Sequence, residues 1–252
     1  MHPSSQASLS LSGLALCEGS AWGHEPRAVL EWACGLGYRV VQLDVTMPGL
    51  RPRDLDQSAR RDLRGTLARR GVAISGLDVF IPPTHFVLGE FVDRAAGAVR
   101  DALDLSAGWG TVPVSVVLPA GTGEEVVASL VSHAERVGVG LADCAWPTRV
   151  RTTGAPGLCV SIDPAAVILA AADVGGAVAG AGGRVVSARL SDAVGGVRAE
   201  AGAPGGVLDV DAYRIALSLA GYAGPLVCDL RGLRDHVGAA ARLRRTVEGQ
   251  SA

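Results

Sequence analysis

Short apolar runs alternate with amphipathic segments along the whole chain. Eight runs have the length and composition of buried strands: Leu9–Cys17, Tyr38–Val45, Val72–Ile81, Val112–Pro119, Val139–Ala145, Leu158–Asp163, Arg184–Asp192 and Pro225–Leu230. Seven helical patterns accompany them: Pro26–Leu36, Pro52–Arg70, Glu90–Ser106, Glu124–Val137, Pro164–Ala181, Val210–Ala220 and Arg234–Glu248. The segment AWPTRVRTTGAPG has no helical periodicity and predicts a long loop.

This alternation predicts parallel strands joined by right-handed helical crossovers. A doubly wound sheet also fits, but eight repeats within 252 residues favour a single (β/α)8 TIM barrel that spans 1–252 as one domain. Active sites of such barrels lie where strands end. The predicted ends carry Trp22, His24, Asp44, Phe80, His85, Pro119, Cys144, Asp163, Asp192 and Asp229.

Charge and composition exclude several classes of function. The formal net charge is −2 and the charges are scattered, so no basic stripe predicts nucleic-acid binding. The chain has no lysine, and its 23 basic residues are all arginines. A Schiff-base lysine and the lysine of a phosphate-binding P-loop are therefore both excluded.

The five cysteines are widely spaced and lie mostly in apolar runs. They predict buried free thiols in a reducing compartment, and hence a cytoplasmic protein. The apolar run Ala165–Gly182 is interrupted by Asp173 and rich in glycine, so we expect a buried helix and no membrane partner. The sequence leaves homo-oligomerisation open.

The segment GVLDVDAYRIALSLAGYAGPLVCDLRG predicts a capped helix, a Gly-Tyr-x-Gly turn and a buried strand that ends in Asp229. Together with GLGYRVVQLDV, RRDLRGTLARRGVAISGLDVF, HAERVGVGLADC, LCVSIDPAAV and VVSARLSDA, it resembles the sugar phosphate isomerase/epimerase family of xylose-isomerase-like barrels. The resemblance implies carbohydrate metabolism: proton transfer next to the carbonyl of a small sugar, sugar phosphate or hydroxy-carbonyl compound. It also implies a divalent metal cofactor, Mn, Mg, Zn or Co.

The family places four metal ligands at strand ends: glutamate, aspartate, histidine and glutamate on the fifth to eighth strands. The matching positions here are Cys144, Asp163, Arg189 and Asp229. A guanidinium has no lone pair to donate, so Arg189 cannot replace a histidine ligand. It can supply positive charge to Asp163 or Asp229, or bind an anionic substrate. The resemblance thus implies a remodelled metal site of Asp163, Asp229 and Cys144, or none.

Period-2 alternation predicts which side chains point into the barrel. On the fifth strand the inward set includes Cys144 instead of Asp143. On the seventh strand it comprises Ser187, Arg189 and Ser191.

Each candidate has a structural alternative. Asp163 precedes a proline and can simply cap a helix. Asp229 ends an apolar strand, where a carboxylate needs a partner, and pairing with Arg189 or Arg231 is slightly preferred to a metal. His85 fits a surface loop better than a substrate contact, and Trp22 and His24 are equally consistent with loop anchors.

Three functional hypotheses remain. In the first, an isomerase or epimerase keeps Asp229 as its carboxylate and a weakened metal site with Asp163 and Cys144, while Trp22, His24, Arg231 and Asp192 are the candidates for substrate binding. In the second, a non-catalytic sensor or partner subunit holds a small anion with Arg189 and Arg231. In the third, Asp229, His85 and Arg189 perform acid-base catalysis without a metal.

Overall fold

The computed structural model describes residues 6–11, 26–149 and 157–249. Its strands are β1 Ala7–Ser10, β2 Val40–Asp44, β3 Ala73–Val79, β4 Val114–Val116, β5 Leu141–Asp143, β6 Cys159–Ile162, β7 Val185–Leu190, β8 Asp192–Val194, β9 Val197–Ala199 and β10 Leu226–Cys228. Eight of them close into a parallel barrel in the order β1-β10-β7-β6-β5-β4-β3-β2. The predicted (β/α)8 barrel is confirmed.

Helices follow the barrel strands as the sequence predicts. They are α1 Pro26–Gly35, α2 Gln57–Arg69, α3 Gly89–Ala107, α4 Glu124–Val137, α5 Pro164–Leu169, α6 Val174–Ala181, α7 Val210–Leu219 and α8 His236–Glu248. Short 3-10 turns cover Pro52–Asp54, Pro83–Phe86 and Gly182–Arg184.

Two predicted helices differ from the observed ones because side-chain caps set new starting points. The prediction of one helix over Pro164–Ala181 is wrong, since Asp173 caps a second helix by accepting a hydrogen bond from the Gly176 amide. Helix α2 begins at Gln57 instead of Pro52, because Asp56 accepts a hydrogen bond from the Ala59 amide at 2.8 Å.

The hydrophobic core lies between the barrel and its surrounding helices. Leu77 and Val79 of β3 belong to it, as do Leu190 of β7 and Leu243 of α8. The alternate positions point into the barrel and are largely polar: Ser8, Ser10, Gln42, Asp78, Ser115, Ser161, Ser187 and Arg189 are all buried. The barrel interior is therefore a polar column beneath the carboxyl ends of the strands.

The sequence predicts free cysteines and no membrane span. Cys34, Cys144, Cys159 and Cys228 are free thiols, and burial is complete or nearly so for Cys144 and Cys228. Cys17 lies outside the described residues. Among the helices of the described ranges, none combines the length and the apolar character needed to cross a bilayer.

Candidate functional site

Three carboxylates and three guanidiniums meet where the barrel strands end. They come from five different elements or the loops after them, so only the closed barrel brings them together. We call this group the Asp–Arg network; it consists of Asp78, Asp163, Arg189, Arg198, Asp229 and Arg231.

Asp229, the first residue after β10, is fully buried and is the centre of this network. Arg231 donates from Nε to both of its carboxylate oxygens at 3.0 Å and from Nη2 to Oδ2 at 2.5 Å. Arg189 and Arg198 each donate from Nη1 to Oδ2 at 3.3 Å. The carboxylate therefore has three guanidinium partners. Arg189 and Arg231 are the partners that the structural alternative proposed, and Arg198 is a third.

Asp163 occupies the N-cap position of α5, but its side chain makes no capping hydrogen bond. It accepts instead from Arg198, from Nη2 of Arg231 at 3.0 Å and from Oγ of Ser191 at 2.8 Å. The Ala165 amide donates a hydrogen bond to the Ser191 hydroxyl oxygen at 3.1 Å. Ser191 thus accepts a hydrogen bond from an amide at the start of α5, and the Asp163 side chain points into the network.

Arg189 lies on β7 and crosses the barrel interior to Asp78 on β3, which is not a neighbouring strand. The inward direction predicted for Arg189 is therefore correct. Asp78 also accepts from Ser10 of β1 at 3.1 Å and from Gln42 of β2 at 2.6 Å. The buried guanidinium and carboxylate are held by four strands.

The sequence analysis missed Arg198, because it did not predict the β8–β9 hairpin that follows β7. A signal was present in Val-Gly-Gly-Val, since two glycines between short apolar runs are typical of a tight hairpin. Gly195 and Gly196 have φ of +59° and +81°, as that turn requires. The hairpin carries Arg198 back over the network.

The arginines dominate the protonation of both carboxylates. Burial alone raises the pKa of Asp229, but Arg231, Arg189 and Arg198 outweigh it and hold that pKa well below its usual range. At Asp163 burial also raises the pKa, but Arg198 and Arg231 lower it below its usual value. Both groups are anionic at neutral pH, and both are weak bases.

The residues present do not fit the metal site that the resemblance implies. Asp163 and Asp229 direct their oxygens to guanidiniums, and Arg189 has no lone pair for a metal. Burial raises the pKa of Cys144, which favours the thiol over the thiolate ligand. Across the described residues, no three His, Cys, Asp or Glu side chains are arranged to hold a metal ion.

Asp44 ends β2 and lies in register with Asp78 of β3. Its Oδ1 accepts from the amide of Thr46 at 2.8 Å and from the Thr46 hydroxyl at 2.5 Å. Burial raises the pKa of Asp44 from 3.8 to about 6, although Thr46 and Arg231 lower it. Within the part of the chain that the structure describes, Oδ2 of Asp44 accepts no hydrogen bond.

Other predicted site residues lie apart from this network or outside the described ranges. Asp192 is buried and accepts from the amides of Ala193, Val207 and Leu208, so it orders the loop after β9. His85 stacks on Phe91 with ring centroids 4.6 Å apart and does not reach Asp229 or Arg189. Trp22 and His24 lie outside the described residues.

Phe80, which follows β3, forms an aromatic wall beside the network. Its ring centroid is 4.1 Å from the guanidinium carbon of Arg231 and 5.1 Å from that of Arg189. Such stacking orients guanidiniums without consuming their hydrogen-bond donors. Phe80 therefore helps to set the direction of two arginines.

Comparison of the sequence with protein-family models and with curated proteins finds no match. Solved structures do match along their full length. A xylose isomerase-like TIM barrel protein from Mycobacterium smegmatis, in complex with magnesium, superposes with a TM-score of 0.71 at 17% identity, over 99% of this chain and 96% of that chain. The chain has the xylose-isomerase-like barrel fold.

Two further structures with this fold carry different activities in their names. L-ribulose 3-epimerase matches with a TM-score of 0.70 at 16% identity, over 97% of this chain and 94% of that chain. A probable 3-DHS dehydratase from Bacillus anthracis matches with a TM-score of 0.70 at 10% identity, over 98% and 100%. Since proteins named as an epimerase and as a probable dehydratase share this fold, the fold alone does not specify the function of this chain.

Proposed function

We propose that the chain is a sugar isomerase- or epimerase-like barrel that transfers a proton next to the carbonyl of a small hydroxy-carbonyl compound, with arginines in place of a metal ion. The observation that supports this most is that Arg189, Arg198 and Arg231 bind the carboxylates of Asp163 and Asp229. These are the two carboxylates that the family resemblance implies as metal ligands.

Arginines can supply the electrostatic part of this reaction. Removal of a proton next to a carbonyl places negative charge on the carbonyl oxygen, which fixed positive groups stabilise. The side chains of Arg198 and Arg231 are 18% and 23% exposed, so both can contact a bound compound. Arg189 is fully buried and acts by positioning the network.

The proton requires a base of matched pKa, and Asp229 is unsuited because its pKa is held so low. Asp44 has a pKa of about 6 and carries an oxygen without a hydrogen-bond donor in the described structure. In the proposed step the substrate C–H bond breaks, the Asp44 carboxylate takes the proton, and the electron pair forms the double bond of an enediolate. Return of the proton to the former carbonyl carbon, with transfer of the hydroxyl proton from its oxygen to the former carbonyl oxygen, completes an isomerisation.

The name of one solved structure with the same fold supports this class of reaction. One similar structure is that of an L-ribulose 3-epimerase, whose name describes inversion at the carbon next to a ketone. That similarity is at the level of fold, so the substrate proposed for this chain is no narrower than a small sugar or hydroxy-carbonyl compound.

Deuterium exchange tests this proposal directly, because it detects proton removal whatever product is formed. EDTA-treated protein is incubated in D2O with a panel of ketoses, aldoses and their phosphates, and exchange next to the carbonyl is followed by NMR. We expect exchange with at least one compound, loss of exchange in Asp44→Asn, and unchanged exchange in Asp93→Asn, an exposed carboxylate of α3. The proposal is contradicted if exchange depends on added metal. It is also contradicted if no compound of the panel exchanges deuterium.

A second candidate is a non-catalytic barrel that binds a small molecule. The specific observation in its favour is that the formal charges of the six network side chains cancel and every carboxylate has an arginine partner. A thermal-shift screen of the same panel distinguishes the two. Stabilisation by a compound that never exchanges deuterium supports the binding protein and counts against the enzyme.

A further inference from the structure

A cavity lies beside the barrel mouth, between the segment after β2, the segment after β3 and helix α3. Its volume is about 610 Å³, which is in the range of small-molecule sites. Its lining residues include Arg51, Arg53, His85, Arg94 and Asp101. None of them belongs to the Asp–Arg network.

Positive charge is in excess in this cavity. Of the described residues that line it, Asp101 is the one carboxylate, against three arginines, of which Arg53 has its Nε 3.8 Å from Asp54. Arg51 is fixed by a hydrogen bond from Nε to the carbonyl oxygen of Thr46 at 3.0 Å. Arg94 lies over the Phe91 ring at 5.2 Å. In the described ranges neither arginine has a carboxylate within salt-bridge distance.

Most of the remaining wall is apolar and contains small side chains. It includes Val45, Val79, Phe80, Ala95 and Ala98, and Thr46 is a polar residue in it. Gly97 also lines the cavity, and a side chain added there would meet nothing within 4 Å. A polyol would leave its hydroxyl groups against this wall without partners, whereas an apolar body fits it.

We propose that this cavity binds a small organic anion, with a phosphate or carboxylate head between Arg51 and Arg94 and an apolar body against Val45, Val79 and Ala98. Guanidiniums bind both heads bidentately, and these two have donors that no described carboxylate occupies. Phe80 separates the site from the Asp–Arg network, since it lines the cavity and stacks on Arg231. Thr46, which donates a hydrogen bond to Asp44, also lines the cavity, so the anion site adjoins the proposed reaction centre but shares no residue with the Asp–Arg network.

Calorimetric titration with phenyl phosphate tests the site, with benzyl alcohol as the uncharged counterpart. We expect phenyl phosphate to bind and benzyl alcohol to show no binding. Arg51→Gln and Arg94→Gln should each raise the Kd for phenyl phosphate by about tenfold or more, because each removes a charge-assisted contact. Arg61→Gln, at an exposed arginine of α2 outside the cavity, is the matched control and should leave the Kd unchanged.

A steric variant keeps every charge and fills the space. Ala98→Phe should abolish binding of phenyl phosphate while the protein remains folded by circular dichroism. The proposal is overturned by equal binding of benzyl alcohol, by no binding of phenyl phosphate to the wild type, by unchanged binding in both arginine variants, or by unchanged binding in Ala98→Phe. Benzoate in place of phenyl phosphate shows which anionic head the site prefers.

Discussion

Arg189 and Asp78 form a salt bridge across the interior of the barrel, and both side chains are fully buried. Burial alone lowers the pKa of Arg189, but Asp78 and the other anionic groups raise it well above its usual value. A buried charge is tolerated only when it is paired and hydrogen-bonded. The stability of the barrel is therefore expected to depend on this pair, which is part of the Asp–Arg network at the barrel mouth.

Arg189→Met is expected to destabilise the protein by about 3–5 kcal/mol, because it leaves Asp78 and part of Asp229 buried without their partner. Urea unfolding followed by circular dichroism measures this. Arg242→Met is the matched control: Arg242 pairs with Glu200 at 2.7 Å on the surface and should cost less than about 1 kcal/mol. Equal losses in both variants would refute the structural role of Arg189.

The Gly195–Gly196 turn should be required for the position of Arg198. Gly196→Val places a β-branched residue at φ +81°, which is expected to cost about 1–3 kcal/mol and to disrupt the hairpin. If the turn acts through Arg198, the double variant Gly196→Val/Arg198→Gln should lose less unfolding free energy than the sum of the losses in the two single variants. Strict additivity in the double variant is the result that contradicts this coupling.

Metal content is expected to stay well below one ion per chain after purification. Manganese titration should reveal no tight site, since guanidiniums occupy the oxygens of Asp163 and Asp229. Elemental analysis by mass spectrometry checks this, and EDTA should leave the melting temperature unchanged. A stoichiometric ion that is lost in Asp163→Ala would show that the arginines do not replace the metal.

Asp44 should make stability depend on pH in the acidic range. Its pKa in the folded state, about 6, lies above its ordinary value, so the folded protein binds this proton more tightly than the unfolded chain. The resulting stability is complete below about pH 4 and is lost as the pH rises through 6. The expected size is on the order of 2–3 kcal/mol.

Unfolding free energies of the wild type and Asp44→Asn, measured at pH 4.5 and pH 8, check this sign. Relative to the wild type, the asparagine variant should gain stability at the higher pH. Asp93→Asn, on the exposed surface of α3, should show no such difference between the two pH values. A loss of relative stability at pH 8 would mean that Asp44 is stabilised as the anion.

The barrel could be predicted because its determinants are local. Period-2 runs such as Leu158–Asp163 and the 3.6-residue pattern of Glu124–Val137 specify elements within a few residues, and both match the structure closely. The inward direction of Arg189 followed from the same alternation. Helix ends were less predictable, since Asp173 and Asp56 act as caps where other polar residues compete for that role.

The sequence by itself determined the class of fold, the strand ends on which polar groups lie, and the presence of an arginine where the family resemblance implies a histidine ligand. Only the tertiary structure decided which groups meet. Arg198 reaches Asp163 through a hairpin, and Asp78 meets Arg189 across the barrel from a non-adjacent strand. The physical reason is that alternation specifies the face of each strand, whereas pairing across a barrel depends on closure and register, which no local pattern encodes.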